Sequence, residues 1–129
     1  MEELRVQSRS KTELIDITAD VSAAANRLGV RDGVVLVFVP HTTGAVTINE
    51  NADPTVKEDI LKVLNQVIPW DAGYRHLEGN SAAHIKSSLV GASALVPVEG
   101  GRLALGTWQG VFFCEFDGPR RRKVWVQVL

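Results

Sequence analysis

The side chains best able to do chemistry are the chain's three histidines, His41, His76 and His84. Each has hydrogen-bonding neighbours. Pro40-His41-Thr42-Thr43-Gly44 reads as a polar turn, and the other two fall within the polar stretch from His76 to Gly91. Three neutral imidazoles converging on one point would hold zinc and leave a fourth position for water or a substrate oxygen. His41, His76 and His84 are therefore candidate ligands of a divalent metal and candidate catalytic groups. Their spacings, 34 residues between His41 and His76 and seven between His76 and His84, match no compact metal motif. A second reading needs no metal. Asn80 or Ser81 can cap a short helix whose free N–H groups and positive dipole favour an oxyanion, with Thr42, Thr43, Asn80, Lys86 and Ser87 completing a phosphate cradle. The plain alternative to both is three histidines that each satisfy only their own loop or helix neighbours.

Other residues add weaker signals. Glu115 follows Phe112-Phe113-Cys114 in an apolar strand, where a carboxylate needs an outward face or a partner; alternation lets it point outward, and it is a candidate assisting group in catalysis. Glu50-Asn51-Ala52-Asp53 offers carboxylates for general-base work, although Asp53 is better explained as a helix cap. Arg120-Arg121-Arg122-Lys123 could grip phosphate or RNA. With no basic surplus in the chain, it reads instead as the solvated start of a strand or a salt bridge between subunits. Gly106-Thr107-Trp108-Gln109-Gly110 sets an indole and an amide between two glycines where one strand gives way to the next. A bulge with a packed indole explains it, and so does a close approach of backbone to a ligand or a neighbouring subunit. No glycine-rich phosphate loop, nucleophile elbow or paired-carboxylate motif is present.

The elements that must position these residues can be taken in order. Leu4 to Ser10 and Glu13 to Ile17 alternate apolar and polar side chains and predict a hairpin. Thr18 can cap a short helix that stops at Gly29. The unbroken β-branched run Val34 to Val39 predicts a central strand buried on both faces, which Pro40 ends just before His41. Asp53-Pro54 is a strong helix start, and Val56, Ile60, Leu61, Val63, Leu64, Val67 and Ile68 then recur at helical spacing as one broad core face. A second short helix runs from Asn80 or Ser81 to about Val90. The remainder reads as strands at Ser93 to Val98, Arg102 to Leu105, Gly110 to Phe116 and Lys123 to Leu129, expected to form an antiparallel meander. The sum is one α+β domain over residues 1–129, mostly antiparallel, with one long and two short helices.

The totals agree. With 129 residues, 45% of them hydrophobic, the chain suits one core. Fourteen basic and 15 acidic residues, net charge −1, create no global field toward nucleic acid or an anionic membrane, so nucleic acid is not an expected partner and any anion site must be local. Cys114, the single cysteine, has apolar neighbours and reads as a packed thiol in a reducing compartment. No signal-peptide pattern or bilayer-length apolar run is present, so a soluble, cytoplasmic protein is expected.

Taken together, Pro40-His41-Thr42-Thr43-Gly44, then His76-x-Glu78-Gly79-Asn80-Ser81-x-x-His84-Ile85-Lys86-Ser87-Ser88-Leu89, then Gly106-Thr107-Trp108-Gln109 and Glu115-Phe116-Asp117-Gly118-Pro119-Arg120 resemble the YjbQ family of secondary thiamine-phosphate synthase-like proteins. The resemblance spans nearly the whole chain. It implies a sandwich-like fold, a homotrimer, and a histidine pocket for a metal or an oxyanion. The activity it implies, as a weak side reaction, is transfer of a pyrimidine diphosphate onto a thiazole phosphate. Such chemistry stabilises departing pyrophosphate, normally with magnesium. A non-catalytic binding module for a phosphorylated metabolite is the alternative.

Overall fold

The computed structural model describes residues 1–129 as eight strands and three helices. In chain order they are β1 (Glu2–Gln7), β2 (Glu13–Asp16), α1 (Thr18–Arg27), β3 (Gly33–Phe38), β4 (Gly44–Glu50), α2 (Pro54–Val67), α3 (Ser81–Val90), β5 (Ser93–Glu99), β6 (Arg102–Leu103), β7 (Gln109–Glu115) and β8 (Arg121–Val128). All pairings are antiparallel. One sheet has the order β1-β8-β3-β5-β6 and the other β2-β7-β4. The α+β, mostly antiparallel expectation describes the fold.

The layers follow from which face of each strand is apolar. Val35, Val37, Val96, Val98, Val124 and Val126 point from the five-stranded sheet toward Val46, Val111 and Phe113 of the three-stranded one, and α1 closes one end with Val21, Ala24 and Ala25. Each such side chain contributes on the order of 1.5–3 kcal/mol by leaving water. On the far side of the three-stranded sheet, Leu14, Ala45, Ala83, Phe112, Cys114 and Phe116 form a second cluster beneath α2 and α3. Burial there pushes the Cys114 thiol up to about 12, so it is the packed thiol the sequence suggests.

Several sequence expectations are corrected. The strands β1 and β2 are not a hairpin: β1 pairs with β8 and β2 with β7, in different sheets. Alternation reports which face is apolar, and Leu4 and Val6 serve the main core while Leu14 serves the second cluster. The C-terminal strands are likewise no meander, because β7 inserts between β2 and β4 while β8 lies between β1 and β3. β3 is central, yet its outer face is only half covered, with Phe38 exposed. Thr18 does not cap α1; its hydroxyl accepts from the Val111 N–H at 2.9 Å, while Asp16 accepts from the Thr18 N–H.

The start of α2 is as read: Asp53 accepts from the Thr55 N–H at 2.9 Å, and Pro54 takes the first position. Its apolar face is another matter. Ile60, Leu61 and Leu64 pack on the second cluster, but Val63 and Val67 remain exposed and no residue of α2 is fully buried.

Candidate functional site

The end of β3 and the start of β8 meet α3 at one corner of the molecule. Proline cannot continue a ladder, so at Pro40 the chain leaves β3 and runs as His41-Thr42-Thr43 past the start of β8. There the Lys123 N–H donates to His41 Nε2 at 2.9 Å. That bond makes Nε2 an acceptor and places the proton of the neutral ring on Nδ1. Burial, and then the nearby Arg122 charge, holds the His41 pKa below its usual value and favours this neutral form.

A cavity of about 550 Å³ opens at this corner, lined by His41, Thr42, Thr43, Glu78, Asn80, His84, Arg120 and Arg122 together with Phe38, Val39, Pro40 and Ala92. Its wall is anchored by Arg122, only 4% exposed. Arg122 Nε donates to Glu115 Oε1 at 2.9 Å, and Nη2 donates to Glu115 Oε2, to Thr43 Oγ1 at 2.8 Å and to the Thr43 carbonyl at 3.2 Å. Glu115, itself buried, also accepts from Ser8 Oγ at 2.6 Å and from the Asp117 N–H at 3.0 Å. Burial alone would raise the Glu115 pKa, but these donors, led by Arg122, hold it below the usual carboxylate range. Gly118 makes the cluster possible: a Cβ there would come within 2.8 Å of Glu115 Cγ and Ser8 Oγ and within 2.3 Å of the Ser10 carbonyl.

The sequence-predicted residues divide. His41, Thr42, Thr43, Asn80 and His84 gather on the cavity, and Ser87 is buried on a neighbouring crevice shared with His41, Thr42 and His84. Asn80 occupies the cap position of α3 without capping it; its amide Nδ2 donates to Asp117 Oδ2 at 3.0 Å. Glu115 does not point outward and does not reach the cavity, since its oxygens are occupied by Arg122, Ser8 and the Asp117 N–H, so it positions Arg122 rather than acting on a ligand. Lys86 is 2% exposed and turns the other way, donating from Nζ to Asn65 Oδ1 of α2 at 2.6 Å. It lies on the flank of α3 opposite His84 and is not a cradle residue.

The three histidines do not converge on one point within the chain. His76 packs edge-on against His84 with ring centroids 5.4 Å apart and lies 3.8 Å from Glu78, but it lines a separate depression. His41 shares a cavity with His84, and its Nε2 is taken by the Lys123 N–H. No three histidine, cysteine or carboxylate side chains of one chain are arranged to hold a metal ion. What the donors of one chain can do at this corner is hold an oxyanion by charge-assisted hydrogen bonds.

Comparison with known proteins places this corner in context. The family model described as UPF0047 protein YjbQ-like matches residues 2–129. The chain belongs to the YjbQ family. It is 52% identical over 127 residues to the UPF0047 protein YugU of Bacillus subtilis, covering 98% of this chain and 96% of that one. A UPF0047 protein of Methanocaldococcus jannaschii is 50% identical, covering 97% and 91%. Among solved structures, an uncharacterised conserved YjbQ/UPF0047 protein of Clostridium acetobutylicum superposes with a TM-score of 0.97 at 51% identity over all of both chains. A conserved hypothetical protein of Thermus thermophilus gives 0.93 at 48%, again over both chains in full.

In this YjbQ-family chain, Arg120 and Arg122 are the site residues that sequence reasoning passed over as a solvated run. Arg120 lines the cavity and is tied to Asp117, its Nη2 donating to Oδ2 at 3.0 Å. The available signal was parity: Arg122 shares its strand face with Val124 and Val126, so a strand there must bury the guanidinium beside the core and near a carboxylate. No helix of the chain is long and apolar enough to cross a membrane.

Proposed function

We propose that the cavity between His41, His84, Arg120 and Arg122 binds the oxyanion of a small phosphorylated molecule. One observation carries this reading. The hydrogen bonds of buried Arg122 run through Nε and Nη2, which fixes the planar fork, while Nη1 has no partner within the chain and the residue lines the cavity. A guanidinium held in place loses little freedom on meeting phosphate and matches its geometry with parallel N–H groups. Neutral His41 adds an Nδ1–H donor, and Arg120, His84 and Thr42 complete the ring of donors.

Transfer chemistry of the kind the family resemblance names, in which a carbon of the pyrimidine diphosphate bonds to the nitrogen of a thiazole phosphate as its C–O bond breaks and pyrophosphate leaves, would use the same donors, with His41 and His84 handling protons. Glu78 is the only carboxylate lining the cavity, which falls short of an acidic pair for magnesium, so binding is the primary reading and turnover rests on the histidines. The chain is also read as self-associating, as a homotrimer. Phe38, Leu95, Ile85, Leu89 and Trp108 are exposed apolar side chains that a neighbouring copy could cover. A solution mass of 14.0 kDa would contradict that.

Thermal unfolding with and without ligand tests the site. A ligand at 100 times its Kd stabilises by about 2.7 kcal/mol. Inorganic phosphate and simple phosphate esters are expected to raise the midpoint of the wild type and to raise that of His84→Ala much less. No shift for either protein would contradict the proposal. Product formation from two phosphorylated substrates separates an enzyme from a binding module.

A further inference from the structure

The Gly106–Gly110 turn is built as a pedestal. The Gln109 N–H donates to the Gly106 carbonyl at 3.0 Å, and the Gly106 N–H donates to Gln109 Oε1 at 2.8 Å. The Asn51 N–H ties the turn to the end of β4 through the Trp108 carbonyl at 2.7 Å. A Cβ on Gly110 would come within 2.8 Å of Asn51, so glycine is needed for this close seat. All this order presents an indole that is 64% exposed. Of the two readings the sequence leaves open, the bulge with a packed indole gives way to a hydrogen-bonded turn holding its tryptophan outward. Tryptophan is enriched among the residues that carry binding energy at protein interfaces.

The opposite end of the same sheet carries a receptor. In the β4–β7 register, Glu50 pairs with Gln109 at one end and Gly44 with Glu115 at the other. Six residues of strand separate the two ends by roughly 20 Å. Beyond the Gly44 end, next to His84, lies a depression of about 440 Å³ lined by Tyr74, Arg75, His76, Ser81, His84 and Ile85, room enough for an indole and with Arg75 available for a cation–π contact. Charge matches as well. Glu50 pairs with Gln109 of the Trp108 turn and Asp16 holds Asn51 at its foot, with Lys57 near Asp16, whereas Arg75 and two histidines edge the depression.

We propose that Trp108 of one copy inserts into the His76–His84–Ile85 depression of the next, a head-to-tail contact that places a second chain's indole against His84. This rests on the self-association read above and specifies its contact. Made reciprocally between two chains the contact closes as a pair, and repeated in one direction around an axis it closes as a ring. The neighbour then touches His84, which also lines the oxyanion cavity.

The test uses the full chain in sedimentation equilibrium. Wild type is expected to sediment as a closed ring, while Trp108→Ala, which keeps the hole, and Ile85→Asp, which keeps the knob, each sediment as single chains of 14.0 kDa with unchanged circular dichroism. Mixing the two variants restores one intact contact per pair and doubles the mass. A single-chain wild type overturns the self-association reading and this contact with it. An assembled wild type with both variants equally assembled overturns this contact alone. Trp108→Phe, retaining an aromatic knob, is expected to assemble; loss of assembly there together with normal assembly of Trp108→Ala would also overturn it.

Discussion

Arg122 and Lys86 are both buried cations, at 4% and 2% exposure, and the protein treats them in opposite ways. Arg122 has a carboxylate of its own, a hydroxyl and a carbonyl, and it lines a cavity. Lys86 has one neutral partner, Asn65, with the Phe116 ring 6.0 Å from its ammonium and no carboxylate paired with it. Burial, and then the Lys11 charge, lowers the Lys86 pKa, as expected for an ammonium taken out of water without a counter-ion. The difference teaches what a buried charge is for. A guanidinium paired through Nε and Nη2 is fixed and keeps Nη1 for a ligand, while an ammonium with a single amide partner seals a helix–helix junction.

The strongest way to break the comparison is to remove the counter-charge. Glu115→Ala strands the Arg122 guanidinium in the core, which typically costs about 3–5 kcal/mol. Urea unfolding is expected to show a lower midpoint with an unchanged slope, together with loss of phosphate binding. Next comes Arg122→Lys, which keeps the charge and loses the fork. Phosphate affinity measured by calorimetry is expected to fall about tenfold, roughly 1.4 kcal/mol.

A pH series sharpens the same contrast. His41 is held neutral in the fold, so in the unfolded chain it takes up a proton first as pH falls past about 6.5. Its contribution is therefore present above that pH and declines below it, until its lowered folded pKa is passed. Glu115 behaves as a depressed carboxylate, contributing above about pH 4.5 and losing that contribution as pH falls through its lower folded pKa. Stability measured by urea titration is expected to fall in two stages, and His41→Gln is expected to remove the upper one. The smallest effect is expected for Lys86→Met. Replacing a poorly paired buried ion with an apolar chain of similar length changes stability by less than about 1 kcal/mol or raises it, and phosphate affinity stays the same because the ammonium is outside the cavity.

What was legible in the sequence follows physical locality. Asp53-Pro54 announces α2 because capping and proline geometry act within four residues. The break at Pro40 that delivers His41 is equally local. Sheet membership was not legible: Ser8 crosses between sheets, held by Arg120 and Glu115 more than a hundred residues away, and no pattern of alternation encodes that pairing. Histidine pairs were half legible, since residue type marked His41, His76 and His84, but only the fold decides that His41 and His84 share a cavity while His76 lies beside it. Lys86 was misread because helix spacing gives the angle between side chains and not which neighbour each flank meets. The basic run hid Arg122 because four adjacent charges look solvated until strand parity buries one of them.

Arg122 lines the cavity, and its Nη1 has no partner within the chain. A crystal structure of the full chain grown with inorganic phosphate tests its role as an oxyanion donor most directly. The account predicts an oxyanion within hydrogen-bond distance of Arg122 Nη1, with His84, Thr42 and the Nδ1 side of His41 around it. An oxyanion bound elsewhere, with only water beside Arg122, would contradict it.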